Sequence, residues 1–140
     1  PTDQAGSIVD LDTVKPGLVQ YDIGDCLRSS CNPLGEETHE IDAVAFDLDL
    51  CKVILEGYLP QVAPFFTEQD YAYIADSVWV LAFEMGLRFF TDYLEGDVYF
   101  KTHDPRNNLR RARIQFTLAE SIAAQLQEIR NLVESLRQEL

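Results

Sequence analysis

The chain has 140 residues, 46% hydrophobic and 25% charged, enough for one globular unit that buries a core without disulfide or metal staples. With 24 acidic against 11 basic residues the formal net charge is −13, which excludes a nucleic-acid or anionic-membrane surface built on clustered Lys and Arg. No apolar run reaches the roughly 18 residues of a membrane span, and no charged n-region precedes an apolar h-region. Cys26, Cys31 and Cys51 have neither disulfide-framework nor metal-ligand spacing, so reduced thiols in a cytoplasmic protein are expected.

Residues 1–6 read as a polar loop, and the opening at Pro1 without a methionine reads as the start of a fragment. Ile8 and Val9 run into Asp10, which predicts a short buried strand that ends on a carboxylate. Asp10 and Asp12 are two apart, so on an extended backbone they point the same way and suit a hard cation such as Mg²⁺. On spacing alone they suit turn-forming aspartates ahead of Lys15-Pro16-Gly17 better. Asp22 is expected as the N-cap of a short helix through Ile23, Cys26 and Leu27.

Residues 29–42 form an acidic loop around Pro33 and Gly35, with His39 solvated among Glu36, Glu37 and Glu40. From Phe46 the positions Leu50, Val53, Ile54 and Tyr58 repeat at helical spacing, predicting a helix that ends near Gly57 to Pro60. Thr67 is the expected N-cap of one long helix over 68–95, apolar on nearly every side from Ile74 to Phe90 and therefore expected to be surrounded by protein. Glu84, Arg88 and Asp92 fall on one stripe of it, either as a buried ladder that satisfies itself or as the border of a cleft where Arg88 offers its donors to a substrate oxygen. Gly96-Asp97 ends that helix, and Asp104-Pro105 opens a last helix that runs to the C-terminus. Its early arginines Arg106, Arg110, Arg111 and Arg113 read as a solvated face or as counter-charges for the acidic first half.

Two stretches carry a resemblance. One is Ile8-Val9-Asp10-Leu11-Asp12-Thr13 with Pro16-Gly17 and Tyr21-Asp22-Ile23-Gly24-Asp25; the other is Gly86-Leu87-Arg88-Phe89-Phe90-Thr91-Asp92-Tyr93-Leu94-Glu95-Gly96-Asp97-Val98-Tyr99-Phe100-Lys101, followed by His103, Pro105 and Asn108-Leu109. Together they resemble the aminoglycoside phosphotransferase and choline kinase superfamily, relatives of the protein kinases, and within it the N-acetylhexosamine 1-kinases. The resemblance implies a mainly α fold: a single unit over 1–140, the helical C-terminal lobe of a kinase-like phosphotransferase with a short β remnant at its start. It implies ATP as phosphoryl donor, Mg²⁺ held by Asp10 with Asp12 behind it, a sugar bound by Arg88 and Tyr99, and a catalytic loop supported by Asp22 and Asp25.

The same resemblance implies parts that these residues lack. The family's catalytic aspartate sits in a His-x-Asp-x-x-x-x-Asn motif, and neither His39 nor His103 belongs to one. The Gly-rich loop and nucleotide-anchoring lysine of the N-terminal lobe are missing too. The expectation is therefore an inactive part of an ATP-dependent kinase, with apolar residues Ile8, Val9, Leu11 and Leu18 exposed where the missing lobe docks and a homodimer through that face left open. The alternative from a different class is a non-catalytic helical interaction protein that keeps a kinase-lobe scaffold.

Overall fold

The computed structural model describes Ser7 and residues 14–140. The expected strand at Ile8 and Val9, and Asp10 and Asp12 with it, lie outside the described residues. Within them the fold is mainly helical, with no strand among the described residues. In chain order the helices are α1 (Val19–Ser30), α2 (Leu48–Val62), α3 (Glu68–Ala72), α4 (Ile74–Glu95), α5 (Asn107–Ala124) and α6 (Leu126–Gln138), with a 3₁₀ turn at Ile41–Ala43. No described helix is long and apolar enough to cross a membrane.

α4 is the central element, packed along its length on α5 and across its N-terminal half on α1, while α2 and α6 close the far side. Apolar periodicity explains the arrangement: Ile23 and Leu27 of α1, Leu55 and Leu59 of α2, Ile74 and Val78 of α4, Ile114, Leu118 and Ile122 of α5, and Ile129 of α6 are essentially inaccessible. Two glycines set how closely the layers approach. A Cβ on Gly24 would lie 2.6 Å from Ser77 Oγ, and one on Gly86 would lie 2.6 Å from the Phe116 ring.

Several boundaries differ from expectation for identifiable reasons. α1 begins three residues before Asp22; its N-cap is Leu18, without a side-chain cap, so Asp22 lies exposed inside the first turn. α2 continues through Pro60 to Val62, because Pro60 is exposed and the carbonyl it leaves unpaired can meet water. The long helix over 68–95 divides at Tyr73 into α3 and α4. The last helix begins at Asn107, where Asp104 Oδ1 accepts the Arg106 N–H at 2.8 Å just ahead of it, and it divides again at Gln125. Gln125 sends its side-chain amide to the Phe46 carbonyl at 3.1 Å and to Ser121 Oγ at 3.2 Å, tying the break to the approach to α2.

Thr67 is the N-cap that its sequence suggests. Its hydroxyl accepts from Asp70 N–H while Asp70 Oδ2 accepts from Thr67 N–H at 2.7 Å, a reciprocal capping box. The expectation that α4 is surrounded by protein fails among the described residues: Trp79, Val80, Phe83, Leu87, Phe90 and Leu94 are exposed along one side.

Candidate functional site

The site grows from the end of α4. Gly96 takes φ 91° and Asp97 φ 60°, two left-handed residues in succession. Asp97 N–H donates to the Asp92 carbonyl at 2.8 Å and Gly96 N–H to the Tyr93 carbonyl at 3.3 Å, which is the Schellman closure of a helix C-terminus. The chain is thereby turned back along α4, so that Val98, Tyr99 and Phe100 pass over the side chain of Asp92.

Asp92 is buried, 4% exposed, and both of its oxygens are committed. Oδ1 accepts Tyr99 N–H at 2.7 Å; Oδ2 accepts Phe100 N–H at 2.9 Å and the Asn108 side-chain amide at 2.8 Å. The same Asn108 amide reaches Asp97 Oδ1 at 2.9 Å, so one α5 side chain ties both aspartates. Burial pushes the Asp92 pKa up, but the N–H groups of Phe100, Tyr99 and Val98 and the Asn108 amide outweigh it, and the carboxyl is held below its ordinary value. A carboxylate so fully engaged is an anchor and not a base.

Above this anchor lies an open groove of about 440 Å³ bordered by Glu84, Leu87, Arg88, Thr91, Asp92, Glu95, Tyr99 and Phe100. Arg88 forms no ion pair with Glu84 or Asp92, so of the two arrangements that the stripe allows, the self-satisfied ladder is absent. Its guanidinium lies 5.9 Å from the Tyr99 ring centre and 5.5 Å from that of Phe100, and its remaining contact is a long one, 3.6 Å to Met85 Sδ. Phe100 in turn packs on Phe89 with ring centres 4.6 Å apart, which gives the platform a footing in the core. The groove thus offers a planar fork of unspent donors beside an exposed phenol ring, a combination suited to a polyhydroxylated ligand.

The other expected site residues fall elsewhere. Asp22 and Asp25 are exposed on α1 and do not line this groove; Asp25 Oδ1 accepts from Arg28 Nε at 2.8 Å. Among the described residues no three His, Cys, Asp or Glu side chains converge as a metal site, and Asp10 and Asp12 lie outside those residues. Cys31 and Cys51 are buried free thiols, and the hydrogen bond that the Cys31 S–H donates to Cys51, together with burial, pushes the Cys31 thiol up, away from reactivity.

A second polar cluster, of which sequence suggested only the arginine counter-charges, bolts the acidic loop to α5. Arg28, only 6% exposed, donates to Glu36 at 2.8 Å and to the fully buried Gln115 at 3.2 Å, and Gln115 also reaches Glu36 at 3.1 Å. Glu37 accepts from Asn107 at 2.8 Å and from Arg111 Nε at 2.6 Å, and Arg111 Nη1 donates to the Lys101 carbonyl at 2.9 Å. Arg110 and Arg111 are therefore counter-charges for the loop, whereas Arg106 and Arg113 lie on the exposed face, and Arg111 links the loop to the segment that carries Tyr99. The available signal was weak: two adjacent asparagines and a glutamine inside an apolar periodicity. No family model matches the chain.

Proposed function

We propose that this chain is the helical C-terminal lobe of an ATP-dependent small-molecule kinase that phosphorylates a sugar hydroxyl, in the first instance the anomeric hydroxyl of an N-acetylhexosamine. The observation that carries the reading is that Arg88 on α4 and Tyr99 in the segment after it border one groove over a backbone segment pinned by Asp92. In this reading Arg88 donates to sugar oxygens, the Tyr99 ring covers an apolar face of the sugar, and the Asp92–Asn108 knot fixes both in advance so that little ordering remains for binding. Phosphoryl transfer further needs a nucleotide cradle, a Mg²⁺ ion and a residue that orients the attacking hydroxyl. Asp10 and Asp12 are the proposed metal ligands, outside the described residues; the other parts are not among these 140 residues and in this reading come from upstream in a longer polypeptide.

The test is kinetic and uses the natural polypeptide. Arg88→Ala and Tyr99→Ala are each expected to raise the sugar KM by roughly 10- to 100-fold with the KM for ATP unchanged. Unchanged sugar kinetics in both variants would remove the two residues from substrate binding. The second reading, a non-catalytic interaction protein, is favoured by a different observation, the uncovered apolar side of α4.

A further inference from the structure

Arg111 does not line the groove, and its side chain is only 14% exposed, yet its guanidinium meets each group that holds the groove's aromatic wall in place. Nε donates to Glu37 Oε1 at 2.6 Å, and Nη2 pairs with the same carboxylate. Nη1 donates to the Lys101 carbonyl at 2.9 Å and to Asn108 Oδ1 at 3.3 Å, while the guanidinium lies 5.5 Å from the centre of the Phe89 ring. A planar fork with donors around its edge and a face for a ring can meet all of these at once; an ammonium cannot.

These contacts complete two supports. The first is a grip on the backbone: Asp92 takes the N–H groups of Tyr99 and Phe100, and Arg111 takes the Lys101 carbonyl, so an acid and a base hold the segment by its donors and its acceptor. That segment is neither helix nor strand and Tyr99 is exposed, so these grips carry most of its order. Arg111 also satisfies the Asn108 oxygen while the Asn108 nitrogen serves Asp92 and Asp97, which places a positive charge behind the amide that two carboxylates share.

The second support is a stack. Arg111 lies against the buried Phe89, Phe89 packs on Phe100 with ring centres 4.6 Å apart, and Arg88 lies 5.5 Å from the Phe100 centre, so two guanidinium groups bound a pair of rings. Arg88 has no carboxylate partner among the described residues. The attraction of an exposed cation to a ring is weak, so Arg88 is placed only as firmly as the rings beneath it.

We propose that Arg111 is a positioning residue for the groove: by gripping the Lys101 carbonyl and backing the Phe89–Phe100 stack it sets where Tyr99 and Arg88 stand for a ligand, and through Glu37 the acidic loop shares in that support. The role rests on the reading of the groove as the sugar site, and Arg111 itself touches no substrate.

The experiment compares Arg111→Met, Arg111→Lys, Arg113→Met and Arg88→Ala in the natural polypeptide, by N-acetylhexosamine kinetics and by protection of the Tyr99 and Phe100 amides. Arg111→Met is expected to raise the sugar KM roughly tenfold with kcat and the KM for ATP unchanged, and to lower both protections by on the order of tenfold. Arg111→Lys keeps a charge opposite Glu37 but loses the fork and the ring contact, so it is expected to fall between Arg111→Met and the wild type; it carries the test if Arg111→Met does not fold. Arg113→Met removes the same charge from the exposed side of the same helix and is expected to behave as the wild type. Wild-type kinetics and protection in Arg111→Lys would reduce Arg111 to a counter-charge and overturn the proposal, as would equal rises in both KM values. An unchanged sugar KM in Arg111→Met beside a raised one in Arg88→Ala would overturn it and leave the sugar reading standing, whereas unchanged sugar kinetics in both would end the two together.

Discussion

Asp92 sits in an apolar helix that ends in Gly96-Asp97, and its work is to accept the backbone of Tyr99 and Phe100. Its ordinary pKa is 3.8, and the folded protein holds it lower. The unfolded chain therefore takes up the proton first as pH falls: the stabilisation is complete above about 3.8 and fades as pH drops through the lower folded value. Protection of the Tyr99 and Phe100 amides, taken against the unstructured rate at each pH, is expected to hold from neutral pH down to that range and to fall below it. Asp92→Asn turns an amide donor toward backbone donors, so at neutral pH it should show the loosened segment that the wild type shows only in acid, with exchange faster on the order of tenfold or more. Unchanged protection in that variant would remove Asp92 as the anchor. In sequence this residue reads as one rung of a Glu84/Arg88/Asp92 ladder, because helical spacing reports which side chains share a stripe and not which of them the following loop turns back to meet. Arg88 stood out in sequence as a charge on an apolar helix and Tyr99 only through its resemblance to a known motif, and their sharing of a groove depends on the Gly96-Asp97 reversal that sequence marks as a break without giving its direction.

At the scale of helices, the close approaches at Gly24 and Gly86 separate packing from propensity. Gly24→Ala and Gly86→Ala each drive a methyl group into a neighbour, and each is expected to lower stability by about 1–3 kcal/mol in denaturant unfolding. Gly57 lies in the interior of α2 with nothing near its missing Cβ, so Gly57→Ala should instead stabilise by about 0.5–1 kcal/mol. If all three moved stability in the same direction, helix contact would not be what fixes those glycines. The helices themselves were largely legible: the apolar periodicity of α2, α4 and α5, the Thr67 cap and the break at Gly96 all appear where the residues place them. What was not legible were the divisions at Tyr73 and Gln125, which carry no Pro or Gly. The Gln125 division is accompanied by side-chain bonds to residues distant in sequence, which no local pattern reports. α1 likewise begins ahead of its expected start, and the added first turn carries Gln20, which donates to Asp70 at 2.7 Å, a contact made across the fold.

Over the whole molecule, an excess of acid is organised by few bases. Arg28 and Arg111 hold Glu36 and Glu37 and so fasten the loop to α5. Burial raises the Glu37 pKa, but the Asn107 and Arg111 hydrogen bonds and the Arg110 and Arg111 charges lower it further, below its ordinary 4.5. Its contribution is thus present above about 4.5 and lost as pH falls through the lower folded value, in the same direction as that of Asp92. Acid should detach the loop and the Tyr99 segment before the apolar core opens, visible as exchange at residues 31–40 and 98–101 that precedes loss of helical circular dichroism. A single concerted transition would contradict that order. The proposed sugar-kinase role of the groove is tested most directly by transfer of labelled γ-phosphate from ATP to N-acetylhexosamines by the polypeptide as the cell makes it, beside the 140-residue chain alone. Labelled sugar phosphate is expected from the former and none from the latter. Transfer by neither, with Mg²⁺ and a full set of sugars present, would contradict it.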